Sequence, residues 1–394
     1  MSLPYYISWT KQKDAASFEI ERVDGCQIFS PNGKVYIDMT SISYQAHFGH
    51  NHPVIIKYLK EQLDTVPMSS PKGIYPHKNE ATYDLLQYMG KKDGKIFYTT
   101  GGAESVENAL KIARDFTKKK IVLARQNSYH GATLGALAAT GDWRNPAHMT
   151  PEGWVVRIPE PFETDALKKT REIILNNHPE NIAAIIIETI TGGNGVYAGT
   201  KEWWQGLRAL CDEFGILLIM DEVVCGFERT GKSFGYMHYG VEADLICLAK
   251  GISGGMIPFG AVWTSDKIAQ FYEDHLLCCG LTNYAHPMGM AAMRGVLEIV
   301  KEKEFQENLK KIEGVFAEEL LKLKALSIVK DFRVHGMLAA VDLHKTVDGK
   351  KFMEEGLYLV AQTNRIILAP PLIMKEELLK TAMSKVTKVL KENS

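Results

Sequence analysis

Residues 216–255 read I-L-L-I-M-D-E-V-V-C-G-F-E-R-T-G-K-S-F-G-Y-M-H-Y-G-V-E-A-D-L-I-C-L-A-K-G-I-S-G-G. Two apolar runs, 216–220 and 244–249, each lead to one charged side chain: Asp221 at the exit of the first, Lys250 just beyond the second. Apolar runs of this length between turn residues are strands buried on both faces of a parallel sheet. Ligands of open α/β sheets sit outside the carboxyl ends of such strands, so both charges arrive where a ligand would be held. Two readings stand. Either an acid and an aldehyde-seeking amine face one ligand, or a salt bridge closes the top of the sheet.

Outward from this stretch, helix and strand alternate from about 77 to 265. Helix 77–90 leads to strand K-I-F-Y and the turn T-T-G-G-A-E-S. Helix 103–116, strand I-V-L-A, the turn Y-H-G-A-T and helix 131–139 follow. Strand 182–188, helix 200–214, strands 216–220 and 244–249 and the run F-G-A-V-W-T complete the series. This predicts an α/β fold with a large, doubly wound, mostly parallel sheet. Before it, G-C-Q-I-F-S and V-Y-I-D-M form a hairpin across an Asn-Gly turn, and His52-Pro53 opens a helix. After about 285 come two charged amphipathic helices, V-H-G-M-L-A-A-V-D-L, a last strand I-I-L-A and a terminal helix, which predict a smaller α+β domain. The expected division is an N-terminal arm and hairpin over 1–52 packing with the small domain, a large domain over 53–284, and a C-terminal small domain over 285–394.

A chain of 394 residues, 45% apolar and 24% charged, has the composition of a globular enzyme with a large core. Its net charge of −1 argues against a general nucleic-acid-binding role. No apolar run approaches the roughly 18 residues of a membrane helix, and the N-terminus is too polar for a signal peptide. The 6 cysteines show no C-x-x-C spacing, which fits a reducing cytoplasm. His47, His50 and His52 crowd one segment, yet no acidic residue stands beside them, so they read as turn and packing groups and no metal is expected.

In T-T-G-G-A-E-S (99–105), Gly101 and Gly102 let backbone approach an anion, and the next helix offers unpaired N–H groups and a positive dipole end. The plainer reading is a strand-to-helix turn with Glu104 as first-turn acid. Tyr129, in S-Y-H-G-A-T, occupies another such turn, where a ring can stack on a flat ligand and His130 can order the loop; a buried aromatic without a ligand is the alternative. G-F-E-R-T-G-K-S (226–233) matches the pattern of a phosphate-binding loop. Such a loop must follow its strand directly and open a helix, and neither holds here. Taken together the parts ask for a ligand with a phosphate, a flat ring, a ring nitrogen for Asp221 and an aldehyde for Lys250. Pyridoxal 5′-phosphate has all four. Lys250 would bind the aldehyde covalently, yield to a substrate amine and then shuttle the proton.

These residues lie in blocks that carry a family resemblance: G-H-N-H-P, T-G-G-A-E-S-V-E-N-A-L-K-I-A-R, Y-H-G-A-T, I-I-E-T, D-E-V-V-C-G-F-E-R-T-G, A-K-G-I-S-G-G and G-L-T-N-Y-A-H-P. Over nearly all its length the chain resembles the class III (ω-amino acid) aminotransferases of fold type I. The resemblance implies phosphate contacts from Gly102 and Ala103, stacking by Tyr129, Asp221 at the pyridine nitrogen, Val223 on the opposite ring face and Lys250 as the covalent lysine. It places Glu188 near the substrate or among the groups ordering the cofactor. Thr282 would reach the phosphate of the neighbouring subunit, implying a homodimer with shared active sites, or a tetramer of such dimers.

Departures bear on the substrate. Val224 stands where many members have Gln, Glu228 replaces a Gly, and the positions that carry a carboxylate-gripping Arg hold Ile367 and Val360. Arg365 is the remaining candidate. Trp9, Tyr44 and Tyr129 would line an aromatic pocket suited to amines or ω-amino acids. The resulting expectation is a transaminase moving an amino group from an ω-amino acid or primary amine to a 2-oxo acid, pyruvate first. It looks most similar to the taurine and β-alanine:pyruvate branch. A same-fold aminomutase of the glutamate-1-semialdehyde type and a non-catalytic pyridoxal-phosphate-binding protein are the alternatives.

Overall fold

The structure, a computed structural model, describes residues 4–14 and 18–394. The apolar runs assemble into a seven-stranded sheet in the order Lys95–Thr99, Gly260–Thr264, Leu245–Leu248, Leu217–Asp221, Ile182–Glu188, Ile121–Arg125, Val155–Ile158. Gly260–Thr264 is antiparallel to both neighbours, and the other pairs are parallel. Every residue of Ile182–Glu188 is buried, because helices cover both faces of the sheet. Side chains alternate between them: Ile185 and Ile187 join one core, Ala184 and Ile186 the other. Helix Gly102–Thr117 packs Val106, Ala109, Leu110 and Ala113 on the second face. Trp203, Trp204 and Leu207 of helix Lys201–Phe214 belong to the first. That helix starts where Thr200 Oγ1 accepts from the Trp203 amide at 3.1 Å, and it stops at Gly215, whose φ of 61° is left-handed.

A second, antiparallel sheet near the C-terminus has the order Val329–His335, Leu338–Leu343, Arg365–Leu368, Val360–Gln362. Buried residues of helices Lys303–Leu323 and Glu376–Glu392, such as Phe316 and Val386, join the main core beside it. The expected hairpin forms from Gln27–Phe29 and Val35–Asp38, and Val35–Asp38 pairs in parallel with Leu357–Tyr358. Backbone hydrogen bonds thus join the N-terminal segment to the C-terminal region.

Two expectations change. Helix Pro287–Ile299 is nearly all buried rather than amphipathic, because Arg294 and Glu298 are its only charged residues. It packs on helix Pro53–Thr65, with Gly295 so close that a Cβ would stand 2.9 Å from Ile55 Cα. The crowded histidines find partners outside their own segment or cap a helix. His50 Nε2 contacts Asp38 Oδ2 at 2.9 Å, His47 Nδ1 donates to the Phe227 carbonyl at 3.1 Å, and His52 caps the helix that Pro53 opens. Residues 226–233 form turns, followed by a short 3-10 helix at Gly235–His238, so no α-helix takes the position a phosphate-binding loop requires.

Ile185→Ala, in the central strand, removes fully buried methyl groups and should destabilise the protein by about 2–5 kcal/mol, read as a lowered thermal or urea midpoint.

Candidate active site

The shared register of parallel strands places Glu188 opposite Asp221 and Asp221 opposite Cys247, in one row at the carboxyl edge. Lys250 follows at once, in the short helical turn Lys250–Ser253, with a φ of 50° that turns the chain back toward that row. A cavity of about 320 Å³ opens there. Gly102, Ala103, Tyr129, His130, Glu188, Asp221, Val223 and Lys250 all line it. The opening of helix Gly102–Thr117 faces the cavity at one end, and Gly102 has no room for a side chain: a Cβ would meet Val223 Cγ1 at 2.8 Å. Glu104 holds the turn by accepting from the amide of Thr100 at 2.9 Å and from its hydroxyl. Free helix N–H groups, a positive dipole end and a closely packed glycine make an anion cradle.

Asp221 is oriented from two sides. Its Oδ1 accepts from the Val223 amide at 3.0 Å and its Oδ2 from His130 Nδ1 at 2.7 Å. His130 is buried, and its Nε2 has no hydrogen-bond partner among the described residues. Glu188 is engaged by the protein. It accepts from Arg125 Nη2 at 2.8 Å and from the amides of Tyr129 and Gly192 at 3.3 Å each. Burial raises its pKa, and the Arg125 guanidinium opposes that rise. Burial also lowers the pKa of Lys250, against the pull of Asp221, Glu188 and Cys225. A buried amine of depressed basicity is a nucleophile, and a fixed carboxylate 29 positions earlier in the sequence faces the same space. A phosphorylated aromatic aldehyde fits this cradle, acid and amine.

Other sequence candidates fall outside the cavity lining. Thr282 is exposed, in the segment before helix Pro287–Ile299. Tyr44 stands behind Lys250, whose Nζ is 5.9 Å from its ring centroid. Arg365 is committed elsewhere: its Nε donates to Asp342 Oδ1 at 2.5 Å and its Nη1 to the Asn194 carbonyl at 3.2 Å. Trp9 stands at 48% exposure and meets Trp143 edge-on at 5.8 Å.

Between Trp9 and the cavity lies a residue the sequence reading missed, Arg144. Its guanidinium carbon is 4.7 Å from the ring centroids of both Tyr129 and Trp143 and 5.3 Å from that of Trp9. Asp142 pairs with one nitrogen, and Nε has no partner among the described residues. The side chain is only 16% exposed. The signal was present in G-D-W-R-N-P, an arginine beside a tryptophan immediately after an active-site helix.

Comparison with known proteins identifies the family. The sequence profile of the class-III aminotransferases matches residues 9–390. The acetylornithine aminotransferase of Caldanaerobacter subterraneus subsp. tengcongensis is 32% identical over 94% of this chain and 93% of its own. A probable gamma-aminobutyrate transaminase of Oryza sativa subsp. indica is 28% identical over 99% of this chain and 85% of its own. Among solved structures, the taurine:2-oxoglutarate aminotransferase of Bifidobacterium kashiwanohense, in complex with PLP and glutamate, superposes with a TM-score of 0.93. It is 31% identical, over 98% of this chain and 95% of that one. An S-selective transaminase of Bacillus megaterium gives 0.92 at 27% identity, over 99% and 96%. The fold and site define a pyridoxal-phosphate-dependent transferase of fold type I. Within that class, the chain belongs to the class-III aminotransferase family.

Because the neutral amine is the nucleophile and burial lowers the Lys250 pKa, covalent capture of pyridoxal phosphate by apoprotein should speed up with pH and level off below the usual lysine range. Stopped-flow absorbance against pH checks this. A midpoint at or above that of free lysine contradicts it.

Proposed function

We propose that the protein moves the amino group of an ω-amino acid with an acidic tail, such as taurine, β-alanine or γ-aminobutyrate, to a 2-oxo acid. The position of Arg144 carries this reading. Its guanidinium sits among three aromatic rings, one of them Tyr129 of the cavity lining, and a planar guanidinium beside the cavity is suited to a sulfonate or carboxylate. Asp142 offsets part of its charge and fixes its direction. The name of the Bifidobacterium relative, a taurine:2-oxoglutarate aminotransferase, supports the same class of donor and adds 2-oxoglutarate beside pyruvate as an acceptor to test.

When bound, the cofactor supplies an aldehyde for amines and a ring that stabilises negative charge on the substrate carbon. The chain supplies the rest. Gly102 and Ala103 would receive the phosphate at the helix opening, and Tyr129 and Val223 would hold the ring. Asp221, held by His130 and the Val223 amide, would keep the ring nitrogen protonated. Lys250, a buried amine in the cavity lining, would hold the cofactor and could move the proton at the substrate carbon. Glu188, tied to Arg125, orders the Tyr129 loop rather than touching the amine. Trp9 and Tyr44 wall the donor's path, and Arg365 braces the 194–197 loop through Asp342 and Asn194.

Thr282 is exposed, as are Ile74 at 82% and Leu276 at 82%, which suits a homodimer in which Thr282 completes the neighbour's phosphate site.

The test is a panel of taurine, β-alanine, γ-aminobutyrate and an uncharged arylalkylamine against pyruvate, 2-oxoglutarate and no acceptor. Arg144→Leu should raise KM for the acid-tailed donors about tenfold or more while leaving the arylalkylamine within about threefold. Equal loss on both kinds of donor would overturn the role of Arg144. Turnover without any 2-oxo acid would replace the transaminase reading with an aminomutase.

A further inference from the structure

Ser41, Ile42, Ser43 and Tyr44 have φ values of 48°, 42°, 60° and 66°. Four successive L-residues, none of them glycine, make a full left-handed turn. In that conformation each Cβ crowds the following carbonyl, so the chain leaves it unless the surroundings hold it there.

The holders are buried and come from three parts of the chain. Asp38 accepts from the Thr40 amide at 2.9 Å through Oδ1 and from the Ile42 amide at 2.9 Å through Oδ2, which also meets His50. Ser41 Oγ donates to the Ala369 carbonyl at 2.6 Å and accepts from Arg229 Nη2 at 2.9 Å. Arg229, fully buried, also donates to the carbonyls of Met337 at 3.0 Å and Pro370 at 2.7 Å. Behind the turn, buried His47 donates through Nδ1 to the Phe227 carbonyl at 3.1 Å and accepts at Nε2 from Arg229 Nε at 3.4 Å, with the Tyr44 carbonyl 3.1 Å from Nε2.

The turn ends at the cavity. Gln45 lines it, and Tyr44 lies behind Lys250 with its hydroxyl 3.6 Å from where a Cβ on Gly193 would stand. Tyr44 packs in a small cluster with Val224, Ile190 and Ile367. Two of these, Val224 and Ile190, also line the cavity.

We propose that this left-handed turn is a strained clamp, held shut by Ser41 and Arg229, that sets Gln45 in the cavity lining and Tyr44 behind Val224 and Ile190, and so fixes the length of donor amine accepted. Ser41 and Arg229 act as positioning residues. The assignment of the ligand as a donor amine rests on the transaminase reading above; the clamp itself does not.

Ser41→Ala removes both Oγ contacts, and Ser43→Gly relieves the crowding at an exposed position without touching a holder. Hydrogen exchange of the holoprotein should show the amides of residues 40–46 exchanging about tenfold faster in Ser41→Ala, with protection recovered in the Ser41→Ala/Ser43→Gly double variant. The ratio of kcat/KM for β-alanine to that for γ-aminobutyrate, which differ by one methylene, should shift about threefold or more in Ser41→Ala and return in the double variant. Unchanged exchange and an unchanged ratio beside a lowered thermal midpoint would reduce Ser41 to a structural residue and overturn the clamp. If the wild type transaminates no amine, the functional reading falls, while the exchange pattern still decides the clamp.

Discussion

The shared register of the strands ending at Glu188 and Asp221 is the constraint on which the site depends. Parallel pairing with burial on both faces leaves those strands no freedom to slip, because a one-residue shift would turn every inward side chain to the opposite face. Two acids are therefore fixed side by side at the carboxyl edge, and their neighbours separate their tasks. Arg125 and two backbone amides occupy Glu188, so it holds a loop. His130 and one amide steady Asp221, which keeps its aim at the cavity. Lys250 enters this acidic row from the next strand and is desolvated there.

The rest of the fold serves this edge. The glycine turn after Lys95–Thr99 brings a helix opening to the cavity, so that an anion's site forms from backbone rather than from a cation. An arginine stands instead beside the lining residue Tyr129, where Arg144 meets three aromatic rings. Arg333 and Arg365 share the single carboxylate Asp342 and reach across to the carbonyls of Gly195 and Asn194. The C-terminal sheet thereby grips the loop at residues 194–195, and Arg229, deeper in the core, holds the carbonyls of Met337 and Pro370.

How much of this could be read from sequence depends on where each signal lies. Buried strands such as Ile182–Glu188 declare themselves by unbroken apolar runs, and that strand's sequence-based bounds agree with the structure. Strand Val155–Ile158, at the sheet edge, interrupts its run with Arg157 and was not separated from its surroundings. The cavity residues in strand-to-helix turns were legible because turn chemistry and ligand chemistry demand the same residue types. Arg144 was legible only in part, in its neighbour Trp143, since the ring of Trp9 that completes its surroundings lies far away in the chain. The acidic partner of His50 was missed for a similar reason: Asp38 sits 12 residues earlier and reaches it only through the left-handed turn.

The most direct measurement of the central claim is a crystal structure of the protein loaded with pyridoxal phosphate. The account predicts continuous density from Lys250 Nζ to the cofactor's aldehyde carbon, with Asp221 Oδ within hydrogen-bond distance of the ring nitrogen. A cofactor joined to another lysine, or a ring nitrogen turned away from Asp221, would contradict it.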